Sequence, residues 1–380
     1  MKKLKILAIH HDCLSLMGPT RLFLMLCDTF MELGHDVQIV ARTKRITRWK
    51  TDRGIITERL TSKQYHLREL AKYHPLKHVN YRDIIQAELP LTFPYNYMPS
   101  ALVDAIPKAD LVFSDSEIYL PLSKFIPGNY IFYVHWPPQP FRDHKPLMPA
   151  APATIWANSH YTAQEVTRLW GPEWSSEWPP LNPQVIYPPL WTEMYGNDRG
   201  FAERPYDVVL FSRLYEDKIR FLEDLRGYNL AVIGSDYGLK VPSWVQLWKG
   251  VPLKTVIQVL GQSKVYVHVK GFGTLKSGAV SEKEHFGITA TEAQAVGCPI
   301  IVPRGGGIWE EIAGEGKYGL GFSSVEELKG QVERLTSDEE YWNEWHNKSW
   351  ESVKRFDIKV VAERVKYLLD GADNSSGGLI

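Results

Sequence analysis

The chain has 380 residues, room for two cores, with 44% hydrophobic and 23% charged residues and 44 Lys and Arg balanced by 44 Asp and Glu. That balance excludes a chain-wide positive field for nucleic acid and an acidic, disordered character. Three cysteines, Cys13, Cys27 and Cys298, form no C-x-x-C pair and read as reduced thiols, not as a disulfide or zinc framework.

The apolar run LKILAI ends at His10-His11-Asp12. It is too short for a secretory core and no small-residue cleavage site follows, so it reads as a buried first strand. No stretch approaches the ~18 apolar residues of a membrane span. A cytoplasmic protein is expected, peripheral at the inner face of a membrane at most. After the strand KILAIHH come a turn at Gly18-Pro19-Thr20, an amphipathic helix RLFLMLCDTFMEL, a left-handed cap at Gly34 and a second strand VQIVA. That is a βαβ unit, which implies a parallel sheet. Further strands are predicted at 109–115, 129–135 and 153–159, each ending in polar or small residues, where open α/β sheets hold ligands.

The proline-rich PQVIYPPLWT reads as a connection between domains. A second α/β series follows, with strands at 206–213, 228–235, 263–270 and 299–303 and a helix near Phe221–Arg226. Two helices are expected in the tail, from about Asp338 to Arg355 and from about Ile358 to Leu369, before a disordered DNSSGGLI. The sequence contains no internal repeat.

The segment EKEHFGITATEAQAVGCPIIV carries the chemistry. A helix should begin at residues 287–289, where the first amides lack intrahelical partners and carry partial positive charge. Gly287 leaves backbone access for an anion such as a diphosphate. Glu292, inside the helix, suits a vicinal diol such as ribose, and Glu284, on the preceding loop, can reach another part of the same ligand. Arg213 and Lys218, at the end of the strand VVLFSR and just past it, can neutralise a diphosphate as its charge builds. Taken alone, each of these features also fits an ordinary solvated surface.

Together they resemble the retaining glycosyltransferases of family GT4, from the first strand to the last helix. The resemblance implies an α/β fold of two Rossmann-like doubly wound domains facing across a cleft, the GT-B arrangement, with a C-terminal helix crossing back to the N-terminal domain. It implies an acceptor-side domain at 1–188, a nucleotide-sugar domain at 189–355, the returning helix at 356–371 and a free tail at 372–380. By the same resemblance the backbone of Phe286, Gly287, Ile288 and Thr289 lies at the phosphates and sugar, and Glu292 takes the ribose. Glu284 then contacts the transferred sugar, Arg213 and Lys218 stabilise the leaving group, and His135 lies near that sugar at a strand end. Gly18 matches a loop glycine that approaches the phosphates or acceptor, although Met17-Gly18-Pro19 departs from the usual Gly-Gly. Arg304-Gly305-Gly306-Gly307 resembles the family's glycine turn and equally suits a tight strand-to-helix turn.

The wording EHFGI is similar to α-1,2-mannosyltransferases of lipid-linked oligosaccharide assembly, which favours GDP-mannose; a UDP-sugar stays open. The expected reaction moves a hexose from a nucleoside-diphosphate sugar to a glycan, lipid-linked or small-molecule acceptor, with no other cofactor. A departure from the family is the long connection KGFGTLKSGAVSEK before Glu284. There is no D-x-D for a metal-dependent site, no P-loop, and no G-x-S-x-G or H-E-x-x-H. Residues 42–82 hold twelve Lys or Arg against three Asp or Glu, which suits an anionic acceptor or membrane surface and equally a solvated excursion. A nucleotide-sugar epimerase and a non-catalytic nucleotide-sugar binder remain as alternatives.

Overall fold

The computed structural model describes residues 2–10, 18–42, 47–51, 54–58, 67–87, 102, 105–116, 129–137, 154–171, 181–196, 199–214, 216–236, 238–272 and 282–374. The chain divides into two units. One comprises Met1–Asn158, Ala163–Pro189 and Val361–Ile380; the other comprises Ser159–Thr162 and Leu190–Val360.

In the first unit, β1 (Lys5–His10), β2 (Asp36–Arg42), β5 (Ile85–Ala87), β6 (Leu111–Ser114), β7 (Tyr130–Val134), β8 (Thr154–Ala157) and β9 (Gln184–Val185) form one sheet. Its order is β5-β2-β1-β6-β7-β8-β9, and every pairing is parallel. Covered on both faces, its central strands are near-continuous apolar runs, and YIFYV of β7 is buried throughout. A core of Leu7, Ile9, Val112, Phe132, Val134, Ile155, Val166 and Trp170 fills one side. β3 (Thr47–Thr51) and β4 (Gly54–Glu58) form a separate antiparallel hairpin in the basic stretch. The side chains that carry most of that stretch's charge lie outside the described residues.

Gly18-Pro19-Thr20 is not a free turn: it is the first turn of the helix Gly18–Glu32. Proline is tolerated there, because the amide it lacks would have had no intrahelical partner. Past the far end, Gly34 has φ +85° and the amide of His35 reaches back to the carbonyl of Phe30.

The second unit repeats the plan with β10 (Tyr206–Arg213), β11 (Leu230–Ser235), β12 (Val245–Lys249), β13 (Ser263–Val267), β14 (Ile300–Pro303) and β15 (Leu320–Phe322). The order is β12-β11-β10-β13-β14-β15, again wholly parallel. In both sheets the chain winds outward from the first strand, then crosses back over it to wind the other way. The reversal falls between β1 and β6 in one sheet and between β10 and β13 in the other. Ligands of doubly wound sheets bind at the carboxyl ends of strands at such a switch point.

The helices Val325–Ser337 and Glu339–Val353 close the second unit, and Asp338 caps the latter by accepting from the Tyr341 amide at 2.9 Å. The final helix, Ile358–Asn374, passes from the second unit into the first at Val361. Cys27 and Cys298 are buried free thiols, the latter pushed up to about 12 by burial; Cys13 lies outside the described residues.

Candidate active site

Beyond β13 the chain continues as His268-Val269-Lys270, and Glu284 returns to the same spot. Lys270 Nζ stands 3.3 Å from Glu284 Oε2, and His268 Nε2 stands 3.8 Å from the same oxygen. Glu284 Oε1 accepts from the His285 amide at 3.1 Å. Burial alone would raise the Glu284 pKa, but Lys270 and the neighbouring histidines outweigh it and hold the carboxyl below its ordinary value. His268 is pushed down to about 4, first by burial, with Lys218 and Lys270 adding to the effect against the pull of Glu284. It is therefore neutral at physiological pH. Its Nδ1 shares a hydrogen bond with Tyr266 Oη at 3.0 Å, and that hydroxyl meets Thr289 Oγ1 at 2.7 Å. A polar chain thus runs from Thr289, in the first turn of the next helix, to the edge of the Glu284 carboxylate.

That helix spans Ile288–Gln294, as the motif predicts. Gly287 precedes it at φ +100° in the left-handed region, and a Cβ there would sit 2.7 Å from Ile308 Cδ1. Both facts favour glycine. Among the described residues no side chain caps this end. The first intrahelical donor is Ala290, bonded to the Gly287 carbonyl, so the amides of Ile288 and Thr289 lie ahead of the helical ladder. Glu292 faces inward: it is wholly buried, and Tyr195 Oη donates to its Oε1 at 2.9 Å. The Glu284 side chain is 21% exposed.

The glycine run after β14 explains how the Glu284 loop is held. A Cβ on Gly307 would lie 1.8 Å from the His285 carbonyl oxygen, and one on Gly306 would lie 2.8 Å from that of Glu284. Only glycines allow the two loops to approach this closely. Ser159 Oγ donates to the same His285 carbonyl at 2.7 Å. Nearby, Glu311 accepts from the His160 amide at 2.6 Å.

In the first unit, His135 follows β7. Its Nε2 lies 3.1 Å from Asp115 Oδ2, and its carbonyl accepts from Asn158 Nδ2 at 2.8 Å. Asp115, just past β6, also meets His10 Nδ1 at 2.9 Å, at the end of β1. Although two histidines and an aspartate gather here, both rings approach the carboxylate with a nitrogen. Among the described residues no group of three or more His, Cys, Asp or Glu side chains is arranged to hold a metal ion.

Of the residues named from sequence, Glu284, Lys218, Phe286, Gly287, Ile288 and Thr289 gather around the switch point of the second sheet. Glu292 lies behind them in the core, and His135 stands by the switch point of the first sheet. The backbone of Arg213 ends β10, but its side chain lies outside the described residues. Gly18 is exposed, and among the described residues nothing comes within 4 Å of a Cβ placed on it. His268, Tyr266, Tyr195, His10 and Asp115 escaped the sequence reading. Tyr266 and His268 were the most accessible of these: residues two apart at a strand's end point the same way, here toward the motif helix.

Residues 235–351 match the family model described as Glycosyl transferases group 1, a stretch that includes His268, Lys270, Glu284 and Glu292. No curated protein matches the chain. Among solved structures, Alr3699/HepE of Anabaena in complex with UDP and glucose superposes with a TM-score of 0.69 at 14% identity, over 97% of this chain and 100% of that one. A glycosyltransferase from Rickettsia africae ESF-5 gives a TM-score of 0.66 at 15% identity, over 99% and 100% of the two chains. Sucrose-phosphate synthase (tll1590) from Thermosynechococcus elongatus gives 0.65 at 14% identity, over 98% and 100%. With two parallel α/β sheets that match these glycosyltransferases over nearly the whole chain, the fold is GT-B, and its second unit carries a segment of the Glycosyl transferases group 1 type.

Proposed function

We propose that the protein is a retaining glycosyltransferase that moves a hexose from a nucleoside-diphosphate sugar to a hydroxyl acceptor. The observation that carries this reading is the grouping of Glu284, Lys218, His268 and the uncapped start of the helix at Ile288 around the second sheet's switch point. The diphosphate lies against the amides of Ile288 and Thr289, with Lys218 and Arg213 supplying positive charge. Glu284 binds hydroxyls of the transferred sugar, and Glu292, oriented by Tyr195, serves the ribose. The acceptor hydroxyl attacks C1 on the face from which the diphosphate departs. The C1–O bond to phosphate breaks, the C1–O bond to the acceptor forms, and the hydroxyl proton goes to the departing diphosphate. Charge on that leaving group is what Lys218 and Arg213 stabilise. His268, neutral and tied to Tyr266, keeps a second positive charge away from Glu284.

UDP-glucose is the first donor to test, because a related fold has been solved with it (Alr3699/HepE, TM-score 0.67); GDP-mannose is the second, on the EHFGI wording. Calorimetry of the full chain with UDP, UDP-glucose, GDP and GDP-mannose, followed by product analysis with and without acceptor, tests the reading. Binding of one sugar nucleotide and acceptor-dependent release of its nucleotide are expected. Failure of all four to bind at about 1 mM, the upper end of ordinary KM values, would overturn it. Release of an isomerised sugar nucleotide without acceptor would favour an epimerase.

A further inference from the structure

Asp115 is a buried carboxylate flanked by two imidazoles. His10 Nδ1 lies 3.0 and 2.9 Å from its two oxygens, and His135 Nε2 lies 3.1 Å from Oδ2. Burial would raise its pKa, but His10 and His135 outweigh that and leave it far below the usual carboxylate range. An ionised carboxylate only accepts hydrogen bonds, so the facing nitrogens, His10 Nδ1 and His135 Nε2, both carry hydrogen.

The two rings differ in what remains. His10 is 3% exposed and stacked on Phe23, and its Nε2 meets Thr20 Oγ1 at 3.2 Å, so both of its nitrogens are engaged. The His135 side chain is 12% exposed, and among the described residues its Nδ1 has no partner. Its backbone is pinned by Asn158, and Trp136, the next residue, is 55% exposed. The cluster sits where β1 and β6 part, the switch point of the first sheet.

We propose that Asp115 is a positioning residue: by accepting from both rings it holds His135 as the Nε2–H tautomer and makes Nδ1 an acceptor for a hydroxyl of the sugar substrate. A neutral ring locked this way can receive a hydrogen bond at Nδ1 but cannot donate one there. The site thereby selects a hydroxyl over a carbonyl or phosphate oxygen. The exposed indole of Trp136 adds an aromatic surface at the same strand end, and that pairing suits a pyranose ring. The identity of the ligand rests on the glycosyltransferase reading; the tautomer does not.

Histidine ring-nitrogen NMR on the full chain tests this, with the His135 signals assigned by their loss in His135→Gln. At neutral pH the wild type is expected to show a protonated Nε2 and a bare Nδ1 for His135. Asp115→Asn should mix the two tautomers, lower kcat/KM for sugar transfer about tenfold to a hundredfold, and leave nucleoside-diphosphate affinity unchanged. A wild-type His135 protonated at Nδ1 overturns the proposal even where Asp115→Asn does not fold. An unchanged tautomer in Asp115→Asn also overturns it, as does an equal loss of nucleotide affinity, which would make Asp115 a residue of the fold alone. Failure of the wild type to bind any sugar nucleotide would instead retire the glycosyltransferase reading, leaving the tautomer to decide the role of Asp115.

Discussion

Tyr195 and Glu292 are joined by a 2.9 Å hydrogen bond from phenol to carboxylate, in a place that water does not reach. The two acids of the motif are therefore in different physical situations: Glu284 is partly exposed, while Glu292 is part of the core and oriented by a tyrosine nearly a hundred residues earlier. Tyr195→Phe should cost ~1–3 kcal/mol of stability, the usual range for leaving a buried acceptor without its partner. Urea unfolding reads this directly. If the bond also aims Glu292 at the ribose, nucleoside-diphosphate affinity falls beyond what partial unfolding explains; unchanged affinity in a folded variant confines Tyr195 to the core.

The glycines named from sequence separate by the same kind of geometry. Gly307→Ala must push a methyl into the His285 carbonyl at 1.8 Å, so the 282–287 loop or the 305–308 turn has to move. Overpacking of this kind costs about 1–3 kcal/mol or more. Gly18→Ala meets nothing within 4 Å among the described residues and should change stability by less than about 0.5 kcal/mol. Thermal melts of both variants check this. A folded Gly18→Ala protein that nonetheless loses turnover would show that its backbone approaches a ligand, the role the family resemblance assigns.

Much of this was legible in the sequence where burial dictates pattern. The runs KILAIH, VVLFSR and PIIVP lie in central strands, covered on both faces, and such runs announce themselves. Besides the hairpin strands β3 and β4, the strands that escaped, β5, β9, β12 and β15, are the edges of the two sheets. The edge strands are short, and in β12 exposed Gln246 and Lys249 flank half-buried Leu247 and Trp248, so no apolar run marks them. PQVIYPPLWT read as a connection because proline dominates it, yet Gln184 and Val185 still pair with β8. In the candidate site, Glu284, Gly287 and Glu292 were visible because one short segment holds them. The partners that tune them, Tyr195, Tyr266 and His268, arrive from other strands and loops, and no local spacing reports that. Asp115 was hidden for the same reason: its two histidines lie 105 and 20 residues away in sequence.

Lys218 tests the leaving-group assignment. Its charge already acts on His268, so it lies near the site without being part of the motif. Lys218→Ala should lower kcat by about a hundredfold to a thousandfold, the range for a lost transition-state charge partner, while changing nucleotide affinity far less. Steady-state kinetics beside calorimetry separate the two. An unchanged kcat removes Lys218 from the leaving group; an equal loss in both quantities makes it a ground-state binder.

Acid should weaken the second unit in a defined window. His268 titrates near about 4 in the fold against 6.5 ordinarily, because burial and two lysines disfavour its charged form. As pH falls, the unfolded chain takes that proton first. The stabilisation is complete above 6.5 and drains away down to about 4; at about 1.4 kcal/mol per pH unit of difference, the loss is on the order of 3 kcal/mol. Glu284 acts with the same sign lower down: its carboxyl is held below 4.5, so what it contributes is present above that value and lost as pH drops through it. Urea unfolding between pH 7 and 4 should therefore show a steep decline for the wild type and a flatter one for His268→Asn. Parallel curves would mean that His268 is not the neutral, buried imidazole that shields Glu284, and the polar chain from Thr289 would lose its link to the carboxylate.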